Sequence, residues 1–125
     1  MYNTGVTQDP ISRIVIIGEP ITVQRLADIA AEDFGDMVKG VVDTNLRLLA
    51  LGGGLSSDEE AALLERGSNQ ANLWGINIYH EKPRSEWVEF DSMINIRPRA
   101  GNRSRGVEDA ATRQLICEIV DSLIL

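Results

Sequence analysis

Two alternating stretches, residues 73–80 and 87–97, constrain the fold more than any other feature of the sequence. In both stretches apolar side chains tend to occupy every second position. A period of two residues is typical of a strand that buries one face. The pattern therefore predicts two long antiparallel strands, joined by a turn at residues 81–85 and ended at Pro98, which has no backbone N–H to donate.

Shorter signals predict the other elements. Thr22 precedes an apolar stripe at helical spacing and is a suitable N-cap. Ser57 and Glu60 have the spacing of a capping box before a second helix. Turn residues at 43–45 separate two apolar runs and predict a hairpin. The predicted strands are residues 13–17, 37–42, 46–51, 73–80 and 87–97, and the predicted helices are residues 23–34, 58–66 and 107–123.

The order β-α-β-β-α-β-β-α predicts the α+β class, with a mainly antiparallel sheet and the helices packed on one face. The first six elements follow the order of a ferredoxin-like split βαβ unit, to which a strand and a helix would be added. A simple meander of the second to fifth strands is the alternative topology. At 125 residues the chain can form a single core. We expect a flexible N-terminal arm at residues 1–12 and one domain at residues 13–125.

Several classes of protein are excluded by composition. The single cysteine, Cys117, excludes an internal disulfide and a multi-cysteine zinc site. The first residues lack the basic and apolar regions of a signal peptide, and no apolar run approaches the roughly 20 residues of a membrane helix. We therefore expect no membrane partner, no metal or other cofactor, and a cytoplasmic location.

The first candidate site is an Arg/Asn loop at residues 97–105. The net charge is −7, yet four arginines lie within these nine residues and no acid does, so the rest of the chain carries −11. Guanidinium groups bind phosphate or carboxylate through paired hydrogen bonds. The loop therefore predicts binding of an anionic small molecule or of nucleic-acid phosphate, although a merely solvated loop would look the same. The candidate ligand contacts are Arg97, Arg99, Asn102, Arg103 and Ser104, with Asn77 and Asn95 on the two long strands.

A second hypothesis is a metal-assisted hydrolase or nuclease. Glu89 and Asp91 would lie on one strand face, roughly 7 Å apart. Such a pair could bind a divalent cation, or act as general acid and base, with Arg97 or Arg103 stabilising developing charge. A sheet with one solvated face would give the same polar pattern without any function.

A third hypothesis is an interaction protein that forms a homo-oligomer, such as a homodimer. Tyr79, Trp87 and Met93 would then be exposed on the otherwise polar face of the two long strands. Large aromatic and methionine side chains of this kind are enriched in protein–protein interfaces.

The runs LWGINIYHEKPRSEWVEFDSMINIRPRAGNRS and FGDMVKGVVD resemble an uncharacterised bacterial family of short proteins, a domain of unknown function. The resemblance spans about residues 17–124 and implies no activity. In the family's pattern, a Gly-Gly turn is followed by an acid, a leucine and a histidine, then an aspartate. Here Gly54 and Ser56 stand at the acid and histidine positions. The resemblance thus implies that this member lacks any chemistry that those two residues supply.

Overall fold

The computed structural model describes residues 13–125, which form a five-stranded antiparallel sheet and three α-helices. The α+β class is therefore confirmed, while the predicted arm at residues 1–12 lies outside the described residues. The strands are β1 (Val15–Ile17), β2 (Val38–Asp43), β3 (Leu48–Leu51), β4 (Leu73–Ile78) and β5 (Val88–Glu89). The helices are α1 (Val23–Ala31), α2 (Ser56–Glu65) and α3 (Ala110–Leu123).

The strand order is β1-β3-β2-β4-β5. β2 and β3 form the predicted hairpin, and the Asp43 carboxylate accepts the N–H groups of Asn45 and Leu46 at 2.8 Å to shape its turn. The first three strands are ordered as in the ferredoxin-like unit. β4 pairs with β2, whereas the ferredoxin-like unit would place it beside β1 and a simple meander beside β3.

The sheet is buried on both of its faces. On one face α1 and α3 pack over side chains such as Val42, Leu49 and Ile76. On the other face α2 packs through Leu63 over a smaller cluster that includes Val41 and Ala50. The prediction that the helices share one face holds for α1 and α3, but α2 lies on the opposite face. Neighbouring residues of β2 and β3 are consequently both apolar, which is typical of strands covered on two sides.

The start of α2 corrects the predicted capping box. The helix begins at Ser56, and no side chain caps it. This register turns Glu59 and Leu63, which are one helical turn apart, toward the sheet, where both are fully buried. Burial of a leucine contributes roughly 1.5–3 kcal/mol, whereas an N-cap contributes about 1 kcal/mol. A missing side-chain cap therefore costs α2 less than the burial of Leu63 contributes, and the helix starts early because the Leu55 carbonyl accepts the N–H groups of Asp58 and Glu59. The N-cap of α1 is Thr22, as predicted.

The largest correction concerns residues 87–97, which do not form a long strand. Only two residues pair with β4, and the chain then makes short 3₁₀ turns. The physical reason is the side chain of Asn95, which occupies the edge of β4. Its Oδ1 accepts the Gly75 N–H at 2.8 Å and its Nδ2 donates to the Gly75 carbonyl at 3.0 Å. One buried amide thus takes the place of a neighbouring strand.

Candidate functional site

The predicted Arg/Asn loop is a closed turn that its own asparagines hold in place. The backbones of Arg97 and Asn102 exchange hydrogen bonds of 2.7 and 3.1 Å, and Gly101 closes the turn with a φ of +86°. The buried Asn102 side chain donates to the Asn95 carbonyl at 2.7 Å and accepts the Glu108 N–H at 2.8 Å. Two predicted ligand contacts, Asn95 and Asn102, therefore take part in hydrogen bonds that hold the loop in its conformation.

The carboxylate of Glu108 occupies the place where the loop backbone could hold an anion. It accepts the N–H groups of Arg103 at 2.7 Å and Ser104 at 2.9 Å. These two bonds lower the pKa of the Glu108 carboxyl. The Ser104 hydroxyl in turn accepts the Gly106 N–H. The Glu108 carboxylate thus pairs with the backbone N–H groups of this part of the loop. The Arg103 side chain remains exposed to solvent.

Arg97 and Arg99 line an open concavity of about 520 Å³ beside the start of β4, which we call the arginine depression. The Arg97 guanidinium stacks over the ring of Trp74, 4.6 Å from its centre. It also donates to the carbonyl of Ile94 at 3.2 Å and to that of Leu73. These contacts fix Arg97 in the wall of the depression.

Acidic side chains reach the arginines of the depression only from beyond ion-pair distance, as Glu60 does for Arg97. Neither Arg97 nor Arg99 forms an ion pair within residues 13–125. Burial lowers the pKa of the Arg97 guanidinium, but an arginine stays charged in a protein. Because Arg97 gives one N–H to each of two carbonyls, three of its five N–H groups remain for a ligand. The depression therefore combines a half-buried cation with an exposed one.

The predicted contact Asn77 lies elsewhere, in a polar row across β2, β4 and β5. Its side chain accepts the Lys39 ammonium at 3.4 Å and donates to Glu89 at 2.8 Å. The hydroxyl of Tyr79 also donates to Glu89, at 3.1 Å. Asn77 is only 5% exposed, so it bridges a cation and an anion inside the protein and is not a contact for a ligand in the arginine depression.

The acids of the hydrolase hypothesis are both engaged in internal contacts. Glu89 accepts from Asn77 and Tyr79, and Asp91 pairs with Arg105 at 2.5 Å. The sequence named Arg97 or Arg103 as the partner, whereas the structure brings Arg105 to this place. Across residues 13–125 there is no group of three or more His, Cys, Asp or Glu side chains that could hold a metal ion.

The predicted interface residues do not lie together on an exposed face. Trp87 is only 5% exposed, donates its indole N–H to the Lys82 carbonyl at 2.8 Å, and is stacked by Arg84. Its predicted exposure is therefore wrong, because Trp87 ends a 3₁₀ turn with helical backbone angles before β5 begins, and so does not follow the strand alternation. Met93 is exposed, and Tyr79 is half-buried.

Sequence reasoning missed the other side of the arginine depression. Its wall also contains Asn69, Gln70 and the edge of Trp74. The polar run before β4 was a signal for a surface loop. Nothing in the sequence alone showed that this loop would meet residues 97–100, because that contact follows from the 3₁₀ turns that replace the predicted strand.

A buried acid lies beneath the Gly52–Gly54 turn. Glu59 accepts the Gly53 N–H at 2.9 Å through one carboxylate oxygen, and its other oxygen has no partner among the described residues. Burial raises the pKa of the Glu59 carboxyl well above its usual value. The Gly53 N–H and the charge of Lys39 oppose this shift, while Asp33 and Asp58 reinforce it.

We expect Glu59 to make the protein less stable as the pH rises. Since its folded-state pKa exceeds the unfolded one, the folded state binds more protons between the two values, and the unfolding free energy falls with pH across that window. Glu59→Gln cannot ionise and still offers an oxygen to Gly53. In urea unfolding at pH about 5, 7 and 9, the unfolding free energy of the variant relative to that of the wild type should increase as the pH rises. Glu65→Gln, an exposed acid on the same helix, should not gain, and equal pH profiles for the two variants would contradict the assignment.

The fold and its depression define a small α+β protein with an arginine-lined surface concavity. A family model described as "Protein of unknown function (DUF5674)" matches residues 15–123, and the chain belongs to this family. The resemblance to a domain of unknown function is thus confirmed. No curated protein and no solved structure matches the chain.

Gly54 and Ser56, the two positions that the resemblance singles out, lie at the start of α2. Gly54 has a φ of +78°, a backbone conformation that favours glycine over an acidic side chain. Ser56 is the first residue of α2 and half-buried.

Within residues 13–125, no helix is long and apolar enough to cross a membrane.

Proposed function

We propose that the protein binds an anionic ligand in the arginine depression. The observation that carries this proposal is the half-buried guanidinium of Arg97, which has no carboxylate within ion-pair distance in residues 13–125. Removing a charge from water is costly unless an opposite charge or hydrogen bonds compensate it. Backbone carbonyls and the face of Trp74 compensate Arg97 in part, and an anion would complete its partners.

The chemistry of the wall favours a phosphate or carboxylate group. Arg97 and Arg99 offer guanidinium N–H groups, which match the paired oxygens of these anions. Asn69 and Gln70 also line the depression. The Asn69 oxygen accepts the Ala71 N–H and the Gln70 amide donates to Glu60, so the Asn69 NH₂ and the Gln70 oxygen are suited to a polar remainder of the ligand. The proposed ligand is therefore an anionic small molecule, and nucleic-acid phosphate is the alternative source of the same chemistry.

Arg99 is the best residue for testing the proposal, because Arg99 has no hydrogen-bond or ion-pair partner elsewhere in residues 13–125, whereas Arg97 also supports the fold. We expect Arg99→Ala to weaken binding of pyrophosphate or adenosine monophosphate about tenfold or more, as loss of a hydrogen bond to a charged group costs roughly 1.5–3 kcal/mol. Isothermal titration calorimetry of the wild type and the variant measures this ratio.

The matched control is Arg25→Ala, which removes an exposed arginine of α1 that does not line the depression. This variant should bind as the wild type does. If both variants bind equally more weakly, the effect comes from the net charge of the protein and not from the depression. If Arg99→Ala binds with unchanged affinity, the arginine depression is not the binding site. A short oligouridylate in the same titrations separates nucleic-acid phosphate from a free phosphorylated ligand.

The other functions remain predictions that no contact in the structure favours. The hydrolase hypothesis, with Glu89 and Asp91, would require turnover of a ligand and not only its binding. The homodimer and the cytoplasmic location are likewise untested predictions.

A further inference from the structure

A second concavity, of about 220 Å³, lies between the start of α2 and residues 92–105. We call it the serine depression, after Ser56, Ser57 and Ser92 in its wall. Among the described residues, no acidic side chain lines it, although the chain contains 19 acids and only 12 lysines and arginines. A wall that carries cations but no acids favours an anion over a cation.

Two cations from separate segments reach this wall. Lys39 makes a single long hydrogen bond, 3.4 Å to Asn77, and so keeps two of its three N–H groups. Arg105 gives only its Nε–H to Asp91 and keeps four N–H groups without a partner in the described residues. Donor capacity at the wall therefore exceeds what the protein itself uses.

A buried hydroxyl points to the same need for an acceptor. Ser92 is only 3% exposed, and its oxygen accepts the Ile94 N–H at 3.4 Å. Its hydroxyl proton has no acceptor among residues 13–125, although Ser92 lines the serine depression. The Ser92 oxygen therefore has one partner already, and its hydroxyl proton is a spare donor that an anion in the depression would accept.

Three side chains of the wall are apolar. Leu55 and Met93 are 57% and 64% exposed, and Ile94 lies beside them. An apolar wall next to a group of unused donors fits a ligand with a charged head and a hydrocarbon part.

We propose that the serine depression binds a small aliphatic carboxylate. The carboxylate accepts from Lys39, Arg105 and Ser92, and the hydrocarbon chain lies against Leu55 and Met93. This site uses none of the residues that line the arginine depression, so either proposal can fail while the other stands.

The test uses hexanoate, with hexanol and acetate as probes that lack the charge or the chain. Titrations followed by ¹H–¹⁵N NMR should show hexanoate shifting the amide signals of Ser92, Ile94 and the start of α2. Hexanol and acetate should bind at least about tenfold more weakly, since each lacks one of the two contributions. Arg99→Ala should leave hexanoate binding unchanged.

Two variants divide the contributions of head and chain. Lys39→Met should weaken hexanoate about tenfold or more, whereas Lys82→Met, which removes an exposed lysine outside the depression, should not. Met93→Ala alters an exposed side chain that the core does not need, and it should weaken hexanoate while leaving acetate as it was. Three results would overturn the proposal. Hexanol could bind as tightly as hexanoate, hexanoate could shift only the signals of Trp74, or Met93→Ala could bind hexanoate with full affinity.

Discussion

Replacing Asn95 by alanine should destabilise the protein by about 3 kcal/mol, because the side chain satisfies both the backbone N–H and the carbonyl of Gly75 at the edge of β4. Asn95 is fully buried and bonds to the N–H and the carbonyl of Gly75 and to the carbonyl of Arg105, at 2.8–3.0 Å. An alanine leaves both groups of Gly75 unpaired, whereas the Arg105 carbonyl still accepts the Ser92 N–H at 2.9 Å, and each unsatisfied group costs roughly 1–3 kcal/mol. Urea unfolding measures the loss as a lower midpoint.

The matched control is Asn45→Ala, in the exposed turn between β2 and β3. It should change the unfolding free energy by less than about 0.5 kcal/mol, as is usual for surface substitutions. Similar losses in the two variants would contradict the view that Asn95 takes the place of a strand at the edge of β4.

Gly75→Ala should cost about 2–3 kcal/mol, the upper part of the range for overpacking. A Cβ at this position would lie 2.5 Å from both Cβ and Oγ of Ser92 and 3.1 Å from Ile94. Real Cβ contacts are not that short, so the segment at residues 92–95 would have to move away from β4. That movement would also break the hydrogen bonds of Asn95 to Gly75.

Ser92→Gly removes the atoms with which the new methyl group collides. The double variant Gly75→Ala/Ser92→Gly should therefore be more stable than the sum of the single losses predicts, by about 1 kcal/mol or more. A double-mutant cycle in urea measures this coupling. Strict additivity would show that the two residues do not compete for the same space.

The regular part of the fold could be predicted from the sequence because local patterns decide it. The alternation at residues 73–78 was confirmed as β4, and the turn residues at 43–45 correctly indicated a hairpin. Adjacent apolar residues such as Val41 and Val42 also carried the information that both faces of the sheet are covered. Because both faces are covered, one helix, α2, lies on the face opposite to α1 and α3. The prediction that all helices share one face did not take this into account.

The candidate site could be predicted only in part, because a pattern does not show what a polar side chain binds. Arginines in a loop indicated a cationic surface, and Arg97 and Arg99 do line a concavity. Asn95 fits an alternating strand equally well, yet it bonds across 20 positions to Gly75. Glu108 binds the loop backbone only four and five residues before it. The contact of Asn95 is tertiary, so local spacing could not have revealed it, and the contact of Glu108 depends on a closed turn that the sequence pattern did not predict.

The most direct test of the arginine depression uses the two tryptophans. Trp74 lies in its wall, whereas the indole N–H of Trp87 is bonded to the Lys82 carbonyl inside the protein. Titration of ¹⁵N-labelled protein with pyrophosphate and adenosine monophosphate should therefore move the indole signal of Trp74 and leave that of Trp87 in place. If both signals stay in place at about 10 mM of either probe, ten times a dissociation constant of about 1 mM, the arginine depression is not the anion site that we propose.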